Sequence, residues 1–433
     1  MGAATVGVVG AGITGLAVTH YLAERGVDTV TFEAADEPGG VIDSIEVDGR
    51  VLEAGPQRMR KTPAVADLLA DLDLESAAIE APELPLYVYA DGVLGEAPLD
   101  RSTFLRTGLL SWRGKLRLVA EPLTSQGEPE ETAAALFTRK FGREAYEKFI
   151  GPLYGGIYGS DPARMPARYA LSGLLEREQE AGSLLSAFRQ RVGGGSEFPP
   201  LSFDDGMQTL PAALADAHGQ TVDLGTPVTD VGVVGEAGGP TGGSPGDYLL
   251  ETPGGAVAVD HVVVTTPASV AGDLLDGIAE GAAGLTAMTY NPLALVHLHA
   301  EVDVDGMGYQ VALTEDLHTL GCSWNDSLFD RDGVYTVFLG GMHEPEILQE
   351  SDEHLARVAT REFRQVMGVE PTAINVSRLE RGFPAYDETW KALDDLVLPE
   401  EVHLATNYTA RMGVPSRIAE AKEVAEAIAG SGV

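Results

Sequence analysis

Gly10, Gly12 and Gly15 stand at the spacing Gly-x-Gly-x-x-Gly, with Ala11, Ile13 and Thr14 between them. Glycines at that spacing can set backbone N–H groups against a pyrophosphate. The first makes a tight turn, the second lets the backbone approach the phosphates, and the third lets a helix pack close. Glu33 completes the set, because a carboxylate there accepts hydrogen bonds from an adenosine ribose. It would repel a 2′-phosphate, which favours FAD or NAD over NADP. Beyond it lie a second glycine pair, Gly39-Gly40, then Ser44, then Glu53-Ala-Gly55-Pro56-Gln57-Arg58-Met-Arg60.

These residues need elements to position them. Thr5–Val9 is β-branched and apolar, as a strand buried on both faces of a parallel sheet must be. Leu16–Arg25 reads as a helix and Val27–Phe32 as a second buried strand, so the glycine turn has its full β–α–β context. Far along the chain, Val222–Val234 reads as strand and contains Gly225-Thr-Pro-Val228. Gly235–Gly246 reads as a surface turn, Val262–Pro267 as a buried strand, and His403–Asn407 as another. That last strand leads to Met412-Gly413-Val414-Pro415 and a closing helix, Ile418–Ala429. An Ala-rich pattern with interspersed charges predicts a helix over Glu130–Phe149.

No acid–base or metal constellation stands out. Leu295-Val-His-Leu-His299 alternates as a strand does, so His261, His297 and His299 read as sheet residues rather than ligands. The single cysteine, Cys322, excludes an internal disulfide and any multi-cysteine cluster, and reads as a buried thiol.

With 433 residues, the chain is long enough for two or three domains. Acidic residues number 66 against 29 basic ones, a net charge of −37, and only six of the basic residues are Lys. Such a surface repels nucleic acid and suits high salt, where screening relieves self-repulsion, so we expect a halophilic protein. The uncharged run Thr5–Ala23 is preceded by no Lys or Arg and is interrupted by the three glycines, unlike a signal segment. No run is long enough to span a bilayer, and the expectation is a cytoplasmic protein. One stretch departs from the acidity: Arg101, Arg106, Arg113, Lys115 and Arg117 interleave with Phe104, Leu105, Leu109, Leu110 and Trp112. It fits peripheral contact with anionic lipid, or equally a helix paired with the protein's own acidic surface.

Taken together, the segments resemble the protoporphyrinogen oxidase family of the FAD-dependent amine-oxidase superfamily, including its coproporphyrinogen-oxidising bacterial branch. The resemblance is carried by Gly10–Gly15, Glu53–Arg60, Phe149-Ile-Gly-Pro-Leu-Tyr-Gly-Gly-Ile-Tyr-Gly-Ser-Asp161 and Gly206-Met-Gln-Thr-Leu210. Gly306–Tyr309, Phe383–Trp390 and Asn407–Val414 extend it colinearly over essentially the whole chain. It implies a mixed α/β architecture: a discontinuous Rossmann-like FAD-binding domain (1–79, 201–270 and 381–433), a mixed-sheet substrate domain (80–100 and 271–380) and a helical domain (101–200). It further implies non-covalent FAD held by Gly10, Ala11, Gly12, Ile13, Thr14, Gly15, Glu33, Gly39, Gly40, Gly55, Pro56, Gln57, Arg58, Val228, Trp390, Met412, Gly413 and Val414. The tetrapyrrole is expected near Met307, Gly308 and Phe338.

The reaction implied is oxidation of a porphyrinogen to the porphyrin. Six electrons leave in three rounds of hydride transfer from a meso carbon to flavin N5, with oxygen or another electron acceptor reoxidising the flavin. Such chemistry asks the protein to bind, orient and exclude water, and no catalytic residue is assigned. Two positions depart from the family: Gln57 stands where an arginine often follows the Gly-Pro pair, and Leu84 where a propionate-binding arginine is found. With that anchor missing, the pocket reads as suited to the more apolar protoporphyrinogen. The competing readings are another superfamily enzyme, such as a carotenoid desaturase, and a tetrapyrrole-binding flavoprotein that does not catalyse. The sequence does not fix the oligomeric state.

Overall fold

Val6, Val8 and Val9 bury both faces of the strand Thr5–Val9, and this strand lies at the centre of a parallel sheet. Asp28–Phe32 flanks it on one side and His261–Val264 on the other; Val222–Asp223 and Val402–Leu404 form the edges. Strands from three distant parts of the chain therefore complete one doubly wound sheet, and the fold class is mixed α/β. The computed structural model describes residues 5–191, 198–234, 248–410 and 413–430; the stretch Gly235–Gly246 and Met412 lie outside the described residues.

One sheet face is covered by the helix Ile13–Glu24, buried along Ile13–Leu22, as an all-round apolar helix must be. Val414–Gly430 packs against it, with Ala421 and Ala425 at the contact, and Thr209–Ala217 joins the same core. On the opposite face sits an antiparallel sheet of Asp230–Val233, Tyr248–Thr252 and Gly255–Val259. The expected single strand Val222–Val234 is thus two strands in two sheets. Between them the Thr226 N–H donates to the Glu33 carbonyl (2.7 Å) and turns the chain across the sheet end.

A second, seven-stranded sheet runs Thr372–Pro384, Tyr290–His299, Val334–Gly340, Thr319–Trp324, Gly308–Val311, Leu86–Ala90 and Val93–Glu96. Its neighbours are antiparallel except Gly308–Val311 beside Leu86–Ala90. The helix Asp352–Met367 covers one face through Leu355, Val358, Ala359 and Phe363. His297 is a sheet residue, as expected: its Nε2 meets the Glu53 carbonyl at 2.9 Å, and burial pulls its pKa to about 4, so it is neutral.

Short helices fill residues 101–191. The predicted Glu130–Phe149 helix is interrupted: Ala133–Phe141 ends at Gly142, whose φ of +90° breaks it. A Cβ there would meet the Arg117 side chain at 2.6 Å, so the break also makes room for that side chain. The basic stretch 101–117 is less cationic outside than its composition suggests. Lys115 is buried and donates to the carbonyls of Leu105 and Thr107, and Arg117 caps the carbonyls of Arg139 and Lys140. Leu109 and Leu110 are buried too, which leaves Arg101, Arg106 and Arg113 outward beside exposed Leu105 and Trp112.

Candidate cofactor and substrate site

The turn after Thr5–Val9 is built as its spacing demands. Gly10 sits at φ +105°, open to glycine, and a Cβ on Gly15 would lie 1.9 Å from the Gly10 carbonyl oxygen. Gly12 is different. Its φ is an ordinary −69° and its absent Cβ would meet only the Gly39 oxygen, at 3.9 Å. The chain itself does not require a glycine at 12; space is kept there for something outside the chain. The helix that starts at Ile13 carries no side-chain cap, so its N-terminal amides are left for an anion. Gly39 (φ +115°) and Gly40 (φ +64°) form the facing wall, with the Gly39 N–H donating to the Ala11 carbonyl at 2.9 Å.

Glu33 follows the strand Asp28–Phe32, next to the glycine turn. Its carboxylate accepts the N–H groups of Ala11 (2.7 Å) and Ala35 (2.9 Å), fastening the end of its strand to the glycine turn. A carboxylate has about four acceptor positions, so two used here leave capacity for a ribose. The segment Gly225–Val228 lies beside it, since the Gly225 N–H donates to the Ala35 carbonyl at 2.8 Å.

Glu53 ties the next block together. It accepts from the Ser44 hydroxyl (2.6 Å) and the Met207 N–H (3.1 Å), with Arg331 Nη2 at 3.5 Å. Desolvation pushes its pKa up to about 7, opposed chiefly by the Ser44 hydrogen bond and the Arg331 charge. This clamp sets Gly55 against Val41, where a Cβ would lie 1.9 Å from a carbonyl oxygen. Gln57 then donates to the carbonyls of Glu53 and Gly55 and accepts from Asn325 Nδ2 at 2.8 Å. Asn325 Oδ1 accepts from the Ser323 hydroxyl, which in turn receives Arg58 Nη1 at 2.7 Å. The glutamine that departs from the family pattern is a structural cross-link.

These blocks open onto a cavity of about 380 Å³ against the seven-stranded sheet. Gly55, Pro56, Gln57 and Arg58 line one side, and Gly413, Val414 and Arg417 close an end. Met307, Gly308, Phe338, Leu293, Leu295, Leu379 and Phe383 form the apolar walls. Cys322 is part of the lining, and burial pushes its thiol pKa well above the ordinary range. The described lining contains no carboxylate, histidine or lysine. A wider depression over the helix Asp352–Met367 also holds arginines, but Arg357, Arg361 and Arg364 are each paired there, with Glu353, Glu362 and Glu370.

The family model described as "Flavin containing amine oxidoreductase" matches residues 13–429. The chain belongs to the flavin-containing amine oxidoreductase family. Like other members it is an FAD-dependent oxidoreductase. The chain is 27% identical over 410 residues to protoporphyrinogen oxidase 1, chloroplastic, of Spinacia oleracea, an alignment covering 84% of this chain and 71% of that protein. It is 26% identical over 428 residues to the coproporphyrinogen III oxidase of Staphylococcus aureus (strain NCTC 8325 / PS 47), covering 88% of each. In fold it is similar to a protein from Exiguobacterium sp. 255-15, provisionally described as a protoporphyrinogen oxidase, with a TM-score of 0.81 at 23% identity over 100% of both chains.

The residues present fit the FAD of this flavoprotein family, on the geometry of the open Gly12 cradle and the uncapped helix start. The structure brings Gly10–Gly15, Glu33, Gly39, Gly40 and Val228 to one end of the parallel sheet, while Gly55–Arg58, Gly413 and Val414 meet at the cavity. Trp390 stands aside from the described lining. It stacks on Tyr386 with ring centroids 4.4 Å apart and donates Nε1–H to the Ala385 carbonyl at 2.6 Å. Met307, Gly308 and Phe338 share the cavity wall.

Sequence reasoning missed Arg417. It is 8% exposed, lines the cavity, and its Nε has no hydrogen-bond partner among the described residues. Desolvation pulls its pKa down, partly offset by Tyr386, Tyr290 and Glu420, yet an arginine remains a cation at neutral pH. Arg58 is also pulled down, to about 10, by desolvation and by Arg60. No described carboxylate lies within ion-pair distance of either. Nothing in the sequence marks Arg417, which stands just before the closing helix as read there, Ile418–Ala429.

Proposed function

We propose that this flavoenzyme oxidises a carboxylate-bearing porphyrinogen to its porphyrin. The observation that carries this reading is the pair of guanidinium groups, Arg58 and Arg417, on a largely apolar cavity whose other described polar side chains, Gln57, Gln310 and Ser323, are neutral. A primary amine is a cation at neutral pH, and such a cavity would repel it. A carotenoid hydrocarbon would leave both charges desolvated and unpaired, at a cost of several kcal/mol. A porphyrinogen offers an apolar macrocycle for the walls and propionates for the arginines. The named plant and bacterial relatives support the same substrate class.

Bound FAD supplies the two-electron acceptor. The chain's own part is positioning: Leu293, Leu295, Phe338, Leu379 and Phe383 exclude water, and Arg58 and Arg417 fix the anionic edge. With its pKa so raised, Cys322 is a poor nucleophile, which supports a non-covalent flavin. Support for the three-part division (1–79, 201–270 and 381–433; 80–100 and 271–380; 101–200) comes from which strands share a sheet. The lean toward protoporphyrinogen rested on a missing anchor at Leu84. With Arg417 in the cavity wall, that argument no longer separates the two porphyrinogens.

Peripheral membrane contact is part of the proposal. Leu105, Trp112 (72% exposed), Leu116, Val119 and Leu123 face outward around Arg101, Arg106 and Arg113. Among the described residues no helix is long and apolar enough to cross a membrane. Flotation with anionic liposomes at moderate salt tests the contact; protein left at the bottom of the gradient rejects it.

The central test is to mix flavin-loaded protein with coproporphyrinogen and protoporphyrinogen in turn. Without air the flavin should bleach, and on admitting oxygen porphyrin fluorescence should grow over repeated turnovers. A flavin that stays oxidised with both substrates overturns the reading, and the ratio of kcat/KM ranks them.

A further inference from the structure

We propose that His20, Glu24 and Asp71 bind a divalent transition-metal ion of the zinc class, on the helices behind the glycine turn. His20 lies on the helix Ile13–Glu24, about 10 Å along its axis from the turn. It is 6% exposed, and its Nε2 has no hydrogen-bond partner among the described residues. That nitrogen faces two carboxylates, Glu24 Oε2 at 3.9 Å on the same helix and Asp71 Oδ2 at 3.7 Å on the helix Pro63–Asp71. The three ligand atoms all lie within 4.8 Å of one another.

The other ring nitrogen has a partner that can hold the metal-binding tautomer. His20 Nδ1 lies 3.1 Å from His218 Nε2, so one proton is shared between the two rings. When His20 Nδ1 carries that proton in the neutral ring, Nε2 directs a lone pair at two carboxylates. Three electron-pair donors cannot face one another stably without a cation between them. Orientation of one imidazole nitrogen by a hydrogen bond from the other is the usual support behind a metal-binding histidine. Here His218, at the end of the helix Thr209–Ala217, provides it.

The surroundings favour positive charge. Asp71, Asp67 and Glu24 raise the Tyr21 phenol's pKa, after desolvation and against Arg25, and the two cations near it are paired elsewhere, Arg25 with Glu426 at 2.9 Å and Lys422 with Asp67 at 3.4 Å. Metal bonds of about 2.0–2.2 Å bring ligand atoms to roughly 3–3.5 Å apart, so closure needs only sub-ångström movement. The glutamate and aspartate side chains are 44% and 37% exposed and free to make it. One imidazole nitrogen with two carboxylate oxygens suits Zn²⁺, Co²⁺ or Ni²⁺ rather than Mg²⁺ or Ca²⁺. The ion would fasten Pro63–Asp71 and Ile13–Glu24 to each other, a site separate from the cavity.

The test uses tag-free, full-length, flavin-loaded protein stripped with a chelator. Isothermal titration with ZnCl₂ should show one saturable equivalent, and CoCl₂ should give d–d absorption bands. Asp71→Asn, at a half-exposed helix end, should fold normally and bind at least ~10-fold more weakly. His20→Gln should do the same. Zinc should raise the melting temperature of the unaltered protein and not of either variant. Equal zinc uptake by all three proteins would mean diffuse binding to the acidic surface and would overturn the proposal. So would a melting temperature of the unaltered protein that ignores zinc.

Discussion

Lys140 and Arg417 are both buried cations, and the molecule treats them in opposite ways. Lys140, 1% exposed, lies among the helices of residues 101–191, held by Glu178 and, at 3.1 Å, by Glu121. Those carboxylates in turn accept the N–H groups of Leu184, Leu185 and Gly127, so the charge is answered within the chain. Arg417 has no such partner among the described residues and opens onto the cavity. Gly15 and Gly12 repeat the contrast without charge: one is a glycine because the chain needs the space, the other because the chain leaves space over. A polar or steric demand met inside the molecule belongs to folding. One left unmet belongs to a ligand.

The largest break in this comparison should come from Lys140→Met. It strands two buried carboxylates, and the loss should be about 3–5 kcal/mol in denaturant unfolding. Flavin affinity of the surviving folded fraction should be unchanged.

Next come the glycines. Gly15→Ala drives a Cβ into the Gly10 carbonyl and should cost roughly 1–3 kcal/mol of stability or more. Gly12→Val should leave the melting temperature of the apoprotein nearly unchanged while weakening FAD by on the order of 100-fold, read by fluorescence titration. Equal stability losses in the two variants would erase the distinction.

Arg417→Met should be neutral or stabilising for the fold and costly for binding, about 2 kcal/mol or roughly 30-fold. Steady-state kinetics and FAD titration together show where the loss falls. A raised KM for the porphyrinogen with unchanged FAD affinity assigns the cation to substrate, and the reverse assigns it to cofactor.

The most gradual effect, spread over pH, concerns Glu53, whose folded pKa of about 7 lies above the ordinary 4.5. A raised acid stabilises the fold fully below about 4.5 and loses that contribution as pH rises through about 7. Between those values stability should fall by at most about 1.4 kcal/mol per pH unit. High salt mutes the surface charges during the measurement, and Glu53→Gln should flatten the slope.

Legibility in the sequence followed the range of the interactions. The strand–turn–helix–strand at the N-terminus was readable because its determinants are local: β-branched runs, glycine spacing and the acid that ends the second strand. The histidines of Tyr290–His299 were readable as sheet residues by their alternation. Val222–Val234 read as one strand because propensity carries no information about which sheet a residue joins. The Glu130–Phe149 helix read as unbroken because the conflict at Gly142 is with Arg117, far back in the chain.

What the sequence by itself determined is the chemistry class: a glycine turn in its β–α–β frame specifies a dinucleotide, and colinear motifs specify the flavin family. Burial of charge was decided only by tertiary structure. Lys115 and Arg117 read as part of a lipid-facing basic stretch and turned inward to backbone carbonyls. Arg417 drew no reading from the sequence and is part of the cavity wall. The physical reason is that a side chain's desolvation depends on which elements fold over it, some a few turns away as for Lys115 and some hundreds of residues away as for Arg417, and no local pattern encodes that closure.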